Sequence, residues 1–152
     1  MKIFLTVALL LAPSLALADR VQVNVINVVD ADTLDIEIPG DTVDWNEHRI
    51  RLDGLNAPES RSRCETEAQR VTEREMAARA ENYVQDRIWD AEVIEVERKG
   101  QDSFNRALAV LYLDGRSLNR DLLGEGWALP YVPDTHGLQF CGDAQKGAYP
   151  AK

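Results

Sequence analysis

Apolar and polar positions alternate along the first part of the chain. Val21, Val23 and Val25 keep a period of two, and Leu34, Ile36 and Ile38 resume it after a break, which is the pattern of half-buried strands. Pro39-Gly40-Asp41 reads as a turn. His48 to Leu55 alternates again through Ile50 and Leu52, and Gly54 stops it. These runs predict a three-stranded antiparallel meander with short connections. From about Glu65 to Ile88 the period changes. The segment is rich in Ala, Glu, Gln and Arg and carries Ala77, Ala80, Val84 and Ile88 on one stripe, which predicts a helix. Glu92 to Glu97 reads as a strand, Lys99 to Asp102 as a turn, and Ala107 to Leu113 as another strand closed by Asp114-Gly115. Leu118, Leu122 and Leu123 suit a short helix, ended by Gly124 and Gly126. After Trp127 the prolines and glycines predict an irregular tail from about residue 132.

The order of three strands, helix, two strands and helix predicts an α+β fold that is mainly β. The simplest closed form is a five-stranded barrel of OB type with two or three helices. The alternation starts only after residue 18. Before it, Lys2 precedes an apolar run that ends in Ala16-Leu17-Ala18, the small-x-small exit of a cleaved secretory leader. The run is too short to span a bilayer, which takes about 20 residues. Residues 1–18 are therefore expected to be a signal peptide and 19–152 a single domain, periplasmic or secreted, monomeric, and not held at a membrane once the leader is cut.

Charge and cysteines narrow the picture. The formal net charge is −9, which repels nucleic acid at long range and argues against a general coating protein, but leaves room for a locally basic cleft. Cys64 and Cys141 sit in no C-x-x-C or Cys/His zinc pattern, and His48 and His136 are isolated. In an oxidising compartment the simplest expectation is a Cys64–Cys141 disulfide.

Four places could carry chemistry. Asp30 and Asp32 flank Ala31 at the break between two strand runs, Arg51 lies inside a strand, Glu59 follows Pro58, and Arg106 stands at the mouth of a strand. Singly, each has an ordinary explanation: acids at turns are solvated, and a strand arginine covers apolar surface with its stem. Together they are chemically coherent. A hard cation takes carboxylate and carbonyl oxygens, which Asp32 and the Asn56-Ala57 loop could supply. Two guanidiniums suit the charge that develops on a phosphodiester during hydrolysis. A glutamate could orient or deprotonate the attacking water.

With these motifs in order, the chain resembles the staphylococcal nuclease (thermonuclease) family of secreted, calcium-dependent nucleases. VVDADTLDI is similar to that family's strand-DGDT-strand signature, RIRLDGLNAPE to its R-L-x-G-x-[acid]-x-P-E signature, FNRALAVLY to its Y-G-R-x-L-A-x-x-Y signature, and DGRSLNRDLLGEGWA to the stretch after it. The matches run in order from about Val21 to Tyr131. The resemblance implies an endonuclease that hydrolyses phosphodiester bonds of single-stranded DNA or RNA with one Ca²⁺. It implies Asp32 as a metal ligand, Asp30 as its supporting acid, Ala57 as a backbone-carbonyl ligand, Arg51 and Arg106 as phosphate-binding arginines, Glu59 as the residue acting on water, and Tyr131 as a wall of the nucleotide pocket.

The departures carry their own expectations. Asn56 stands where the family's second metal-ligand aspartate falls. An amide oxygen can bind Ca²⁺ but brings no charge, so weaker binding is expected. Ala31 replaces a glycine, which requires a turn with no positive φ there. Phe104 replaces a tyrosine, keeping a stacking face for substrate, and Asn105 replaces a glycine. Asp53 shares Arg51's side of the strand if the strand stays regular. The family's long C-terminal helix is replaced by a short tail around Cys141, which the disulfide would tie to the loop beyond Glu59. A non-catalytic nucleic-acid-binding module on the same fold is the alternative.

Overall fold

The computed structural model describes residues 19–40, 49–133 and 138–142. The expected leader at 1–18 and most of the tail lie outside these residues. The alternating runs do form strands: β1 (Arg20–Gln22), β2 (Asn24–Asp30), β3 (Thr33–Glu37) and β4 (Arg49–Leu52). β2 and β3 pair antiparallel through a tight turn at Ala31-Asp32, and β3 pairs antiparallel with β4. The expected meander is therefore present, with register shifts in β2 on either side of Val28. Ala31 is not among the residues with positive φ, so the turn accepts alanine in place of glycine.

A short β5 (Leu55–Asn56) leads into the long helix α1 (Glu67–Asp90). Thr66 caps it, its hydroxyl accepting from the Gln69 N–H while the Gln69 side chain reaches back to the cap, a reciprocal arrangement that satisfies two otherwise free N–H groups. Met76, Ala77, Ala80 and Val84 form its buried stripe. Ala80 and Val84 join the core with Leu34, Ile36, Ile50, Leu52 and Leu111.

β6 (Ile94–Gln101) and β7 (Ala107–Leu113) follow as an antiparallel hairpin. The turn expected at Lys99–Asp102 is displaced, because β6 continues through that segment with a register shift between Arg98 and Gly100. The reversal falls at Asp102–Arg106 instead, where Asn105 takes a φ of 65°, a conformation asparagine accepts more readily than most residues. β7 also pairs parallel with β4, setting Arg51 beside Leu108. β8 (Arg116–Ser117) pairs with β7, α2 (Leu118–Gly124) packs on it, and β9 (Leu129–Pro130) pairs with β5.

The main sheet runs β1-β6-β7-β4-β3-β2, with β8 attached to β7. It thus holds seven strands, not five, and no ladder among the described residues closes it. Its two end strands are successive pieces of one segment. Val23, between them, bonds through its N–H to the Ile94 carbonyl at 2.9 Å and buries its side chain. The strand count rises because this segment breaks in two and because β8 is too short to show a period.

Candidate functional site

The site is built where β2, β3, β4 and the β5–α1 loop converge. Asp32 is the centre of the network and is only 2 % exposed. Its Oδ1 accepts from Arg51 Nη1 at 3.0 Å and from the Thr33 hydroxyl at 2.9 Å, and its Oδ2 accepts from the Ala57 N–H at 2.9 Å. One carboxylate therefore joins the strand turn, the middle of β4 and the loop. The other nitrogen of the Arg51 fork, Nη2, donates to Asn56 Oδ1 at 2.5 Å, so a single guanidinium bridges the expected aspartate ligand and the asparagine that replaces its partner.

Asn56 is held from its other end as well. Its Nδ2 donates to Gln139 Oε1 at 2.9 Å, and Gln139 Nε2 donates to the Pro130 carbonyl at 3.0 Å. Gln139 lies two residues from Cys141, and Cys64–Cys141 is a disulfide that closes a separation of 77 residues. Gln139 and Cys141 are thus held onto the site, the latter by the bridge expected from the cysteine count.

The second turn of the loop wraps the Asp30–Asp32 turn. Ser60 Oγ donates to Asp30 Oδ1 at 2.9 Å, and the Glu59 N–H donates to Glu73 Oε1 at 3.2 Å. Burial, and then the neighbouring Asp32, raise Asp30 above the usual carboxylate range against the Ser60 hydrogen bond. Burial, and then Asp32 and Asp30, likewise push Glu59 up. Asp30, Asp32 and Glu59 therefore repel one another, with Arg51 as the cation among them, although their oxygens do not form a close group of three. All the donors are hard oxygens, and the mutual repulsion is of the kind a divalent cation relieves. The residues fit calcium in kind, with Asn56 supplying an oxygen but no charge.

Arg106 stands apart from this network. Along β7 the side chains at 109, 111 and 113 are buried, so Leu108, Val110 and Tyr112 share the opposite face, and Arg106 directly precedes the strand. Arg51 lies beside Leu108, which is two residues beyond Arg106 in the chain. Arg106 Nε donates to Asp102 Oδ2 at 2.7 Å, and Asp102 Oδ1 accepts the N–H groups of Phe104 and Arg106, each at 2.9 Å. Burial acts to raise the Asp102 carboxyl, yet these hydrogen bonds outweigh it and hold the group below its ordinary value. Phe104 is 79 % exposed, and the Arg106 guanidinium lies 5.6 Å from its ring centre. Tyr131 is 55 % exposed, and its N–H bonds the Gly54 carbonyl at 3.0 Å, between Arg51 and Asn56 in the chain. Asp53 does not continue Arg51's strand face, because β4 ends at Leu52.

Sequence reasoning missed Thr33, Ser60, Glu73, Asp102 and Gln139. Only Asp102 left a readable signal, an acid followed four residues later by Arg106 across a turn. Glu73 is fully buried, and its Oε2 lies 3.2 Å from Cys64 Sγ. Cys64, Glu73 and Cys141 come close enough to suggest a metal centre, but the disulfide leaves no thiolate to ligate.

The model of the family described as staphylococcal nuclease homologue matches residues 49–149, more than half of the chain. Its fold is OB-like, in keeping with the mixed, mostly stranded architecture. The match takes in Arg51, Glu59 and Arg106 and begins after the Asp30–Asp32 turn. No curated protein matches the chain closely enough to count as a relative.

Proposed function

The chain belongs to the family of staphylococcal nuclease homologues, and from that premise we propose that it is an exported, calcium-dependent nuclease cutting phosphodiester bonds of single-stranded DNA and RNA. The observation that carries this reading is the network in which Arg51 joins Asp32 and Asn56, with Asp30 and Glu59 near enough to repel Asp32 and with Arg106 at the start of the strand that pairs with β4. A nucleic-acid binder needs the arginines but has little need of such acids beside a polyanion.

Asp32, Asn56 Oδ1 and the Ala57 carbonyl would hold the ion, with Asp30 in support. When bound, calcium would polarise a non-bridging phosphate oxygen and help to make hydroxide from water. The Glu59 carboxylate orients a water and takes its proton as the water oxygen bonds to phosphorus. The bond from phosphorus to the leaving ester oxygen breaks, and that oxygen gains a proton from solvent. Arg51 and Arg106 present fixed donors to the phosphoryl oxygens, where charge accumulates. Phe104 and Tyr131 offer ring faces to the flanking bases, which any base accepts. The disulfide supports an oxidising destination, the periplasm or the medium. No helix among the described residues is long and apolar enough to cross a membrane.

One observation favours a second reading. Arg51 already satisfies Asp32 and Asn56, and such a closed network would suit a module that binds without cutting. Hydrolysis of labelled single-stranded DNA and RNA by oxidised protein, with Ca²⁺ or with EDTA, separates the two. Calcium-dependent cleavage should fall by at least roughly a hundredfold in Glu59→Gln, the usual scale for loss of a general base. Folded protein that retains the oligonucleotide and never cuts it would establish the binding module instead.

A further inference from the structure

The chain is acidic, yet one cleft is lined by four cations. A cleft of about 710 Å³ lies over the outer face of β7, lined by Arg20, Lys99, Arg116 and Arg120, with Asp121 as the carboxylate in its lining. Val110 and Tyr112 form part of the floor. The topology explains the gathering. On one side β6 pairs Glu97 with Val110, and β1 sets Arg20 beside Glu97. On the other, β8 folds back to pair Ser117 with Tyr112 and leads directly into α2. Arg20 and Lys99 thus come from one wall, and Arg116 and Arg120 from the other.

Glu95, Glu97 and Asp121 are each paired with a cation of the cleft. Glu97 is paired with Lys99 and accepts from the Tyr112 hydroxyl at 2.9 Å. Glu95 lies 3.8 Å from Arg20, and Asp121 takes both Arg116 at 3.0 Å and Arg87 at 3.4 Å. The Arg116 side chain remains 69 % exposed. Arg120 is exposed, and its guanidinium has no partner among the described residues.

The cleft continues the line of the candidate site. Leu108, Val110 and Tyr112 alternate on one face of β7, Arg106 directly precedes the strand, and Arg51 stands beside Leu108. Cations therefore accompany β7 from Arg106, past Arg51, to Arg20 and Lys99 and then to Arg116, over about 20 Å. A single OB-type fold engages roughly 4–16 nucleotides, so one strand can reach both ends. We propose that this cleft is a second phosphate-binding site, holding the backbone of a single-stranded nucleic acid whose neighbouring segment lies at Arg51 and Arg106. The inference rests on the nucleic-acid reading above and adds where the rest of the strand runs. The recognition is by charge and not by base, since Arg20 caps the Tyr112 ring at 3.4 Å and leaves that face closed to stacking.

The test is fluorescence anisotropy of labelled thymidylate 12-mers and 3-mers in EDTA across a salt series, for the full oxidised protein and for the double variant Arg116→Ala/Arg120→Ala. Both residues are exposed, and thermal melts confirm that the variant folds. The salt dependence of 12-mer binding should drop by about 1.4 in log–log slope, since each phosphate that is no longer neutralised removes about 0.7. The preference for the 12-mer over the 3-mer should fall roughly tenfold at low salt. Unchanged slope and preference would overturn the proposal. So would inorganic phosphate that displaces both lengths equally, which would indicate an isolated anion pocket. Wild-type protein that binds both lengths but never cleaves with Ca²⁺ would sink the nuclease reading and leave the cleft standing, whereas wild-type protein that binds neither length in EDTA yet cleaves with Ca²⁺ would overturn the cleft and leave the nuclease reading standing.

Discussion

Arg51 and Asp32 form an ion pair shielded from water: Nη1 lies 3.0 Å from Oδ1, with the side chains 13 % and 3 % exposed. A buried pair of this kind adds little net stability, yet removing one partner is costly because the other is left charged and desolvated. Arg51→Ala is expected to destabilise the fold by about 3 kcal/mol, near the low end for such losses because Thr33 and Ala57 still bond the carboxylate. Asp32→Asn combined with Arg51→Ala should recover a large part of that loss. Urea denaturation of the single and double variants checks it. Strictly additive costs would show that the two side chains are not coupled.

Asn56 is the position where the candidate calcium site is weakest in charge. Its Oδ1 accepts from Arg51 and its Nδ2 donates to Gln139. Asn56→Asp keeps the first hydrogen bond, gives up the second and adds a negative charge beside Asp32. Calcium affinity should rise on the order of tenfold, while stability in EDTA falls by about 1 kcal/mol for want of the Gln139 hydrogen bond. Isothermal titration with Ca²⁺ measures the first quantity. An unchanged affinity would mean that the ion does not use this position.

These two residues also show how far the sequence could be read. Period-two alternation located β2, β3 and β4 and so placed Asp30 and Asp32 at a turn and Arg51 in the adjacent strand, because alternation reports burial on one sheet face directly. The helix was legible from composition and from its Ala77–Ala80–Val84 stripe. What alternation cannot report is which strands become neighbours. The parallel β4–β7 pair, which brings Arg51 to Leu108 and hence near Arg106, depends on packing between distant segments. The same holds for Gln139 on Asn56, 83 residues apart, and for Glu73 beneath the Glu59 loop. The displaced β6–β7 reversal has a local cause. Lys99-Gly100 looks like a turn, but Asp102 binds the N–H groups of Phe104 and Arg106 and so fixes the reversal further along.

Asp35 on β3 faces Arg49 across the sheet. Its Oδ1 and Oδ2 accept from Nε at 2.7 Å and Nη2 at 3.0 Å. The Arg49 hydrogen bond holds the Asp35 carboxyl below its ordinary 3.8, against the opposing effect of burial. A group whose pKa is lower in the folded state stabilises the fold above the unfolded value and loses that contribution as pH falls through the folded one. The Arg49 side chain is 49 % exposed, and solvent screening limits the pair to no more than about 1 kcal/mol. Asp35→Asn should therefore be less stable than wild type at neutral pH, with the difference disappearing by about pH 2. A difference that persists there would assign it to packing, not to the ion pair.

The disulfide links stability to the site through a short path. Cys141 is joined to Cys64, which lies just beyond Glu59, and Gln139, two residues before Cys141, bonds Asn56. In the chain-entropy account, a bridge over so long a loop stabilises by about 4 kcal/mol. Reduction, or Cys64→Ser with Cys141→Ser, should lower Tm by on the order of 10 °C. It should also release Gln139 and leave the Asn56 amide held by Arg51 alone, so calcium should bind more weakly even at temperatures where the reduced protein is fully folded. Gln139→Ala in the oxidised protein isolates that second effect: it should weaken calcium binding while leaving most of the Tm in place. If reduction lowers Tm but both reduced protein and Gln139→Ala bind calcium as the oxidised wild type does, the bridge stabilises the fold without shaping the site. If reduction leaves Tm unchanged, the bridge contributes nothing measurable to stability.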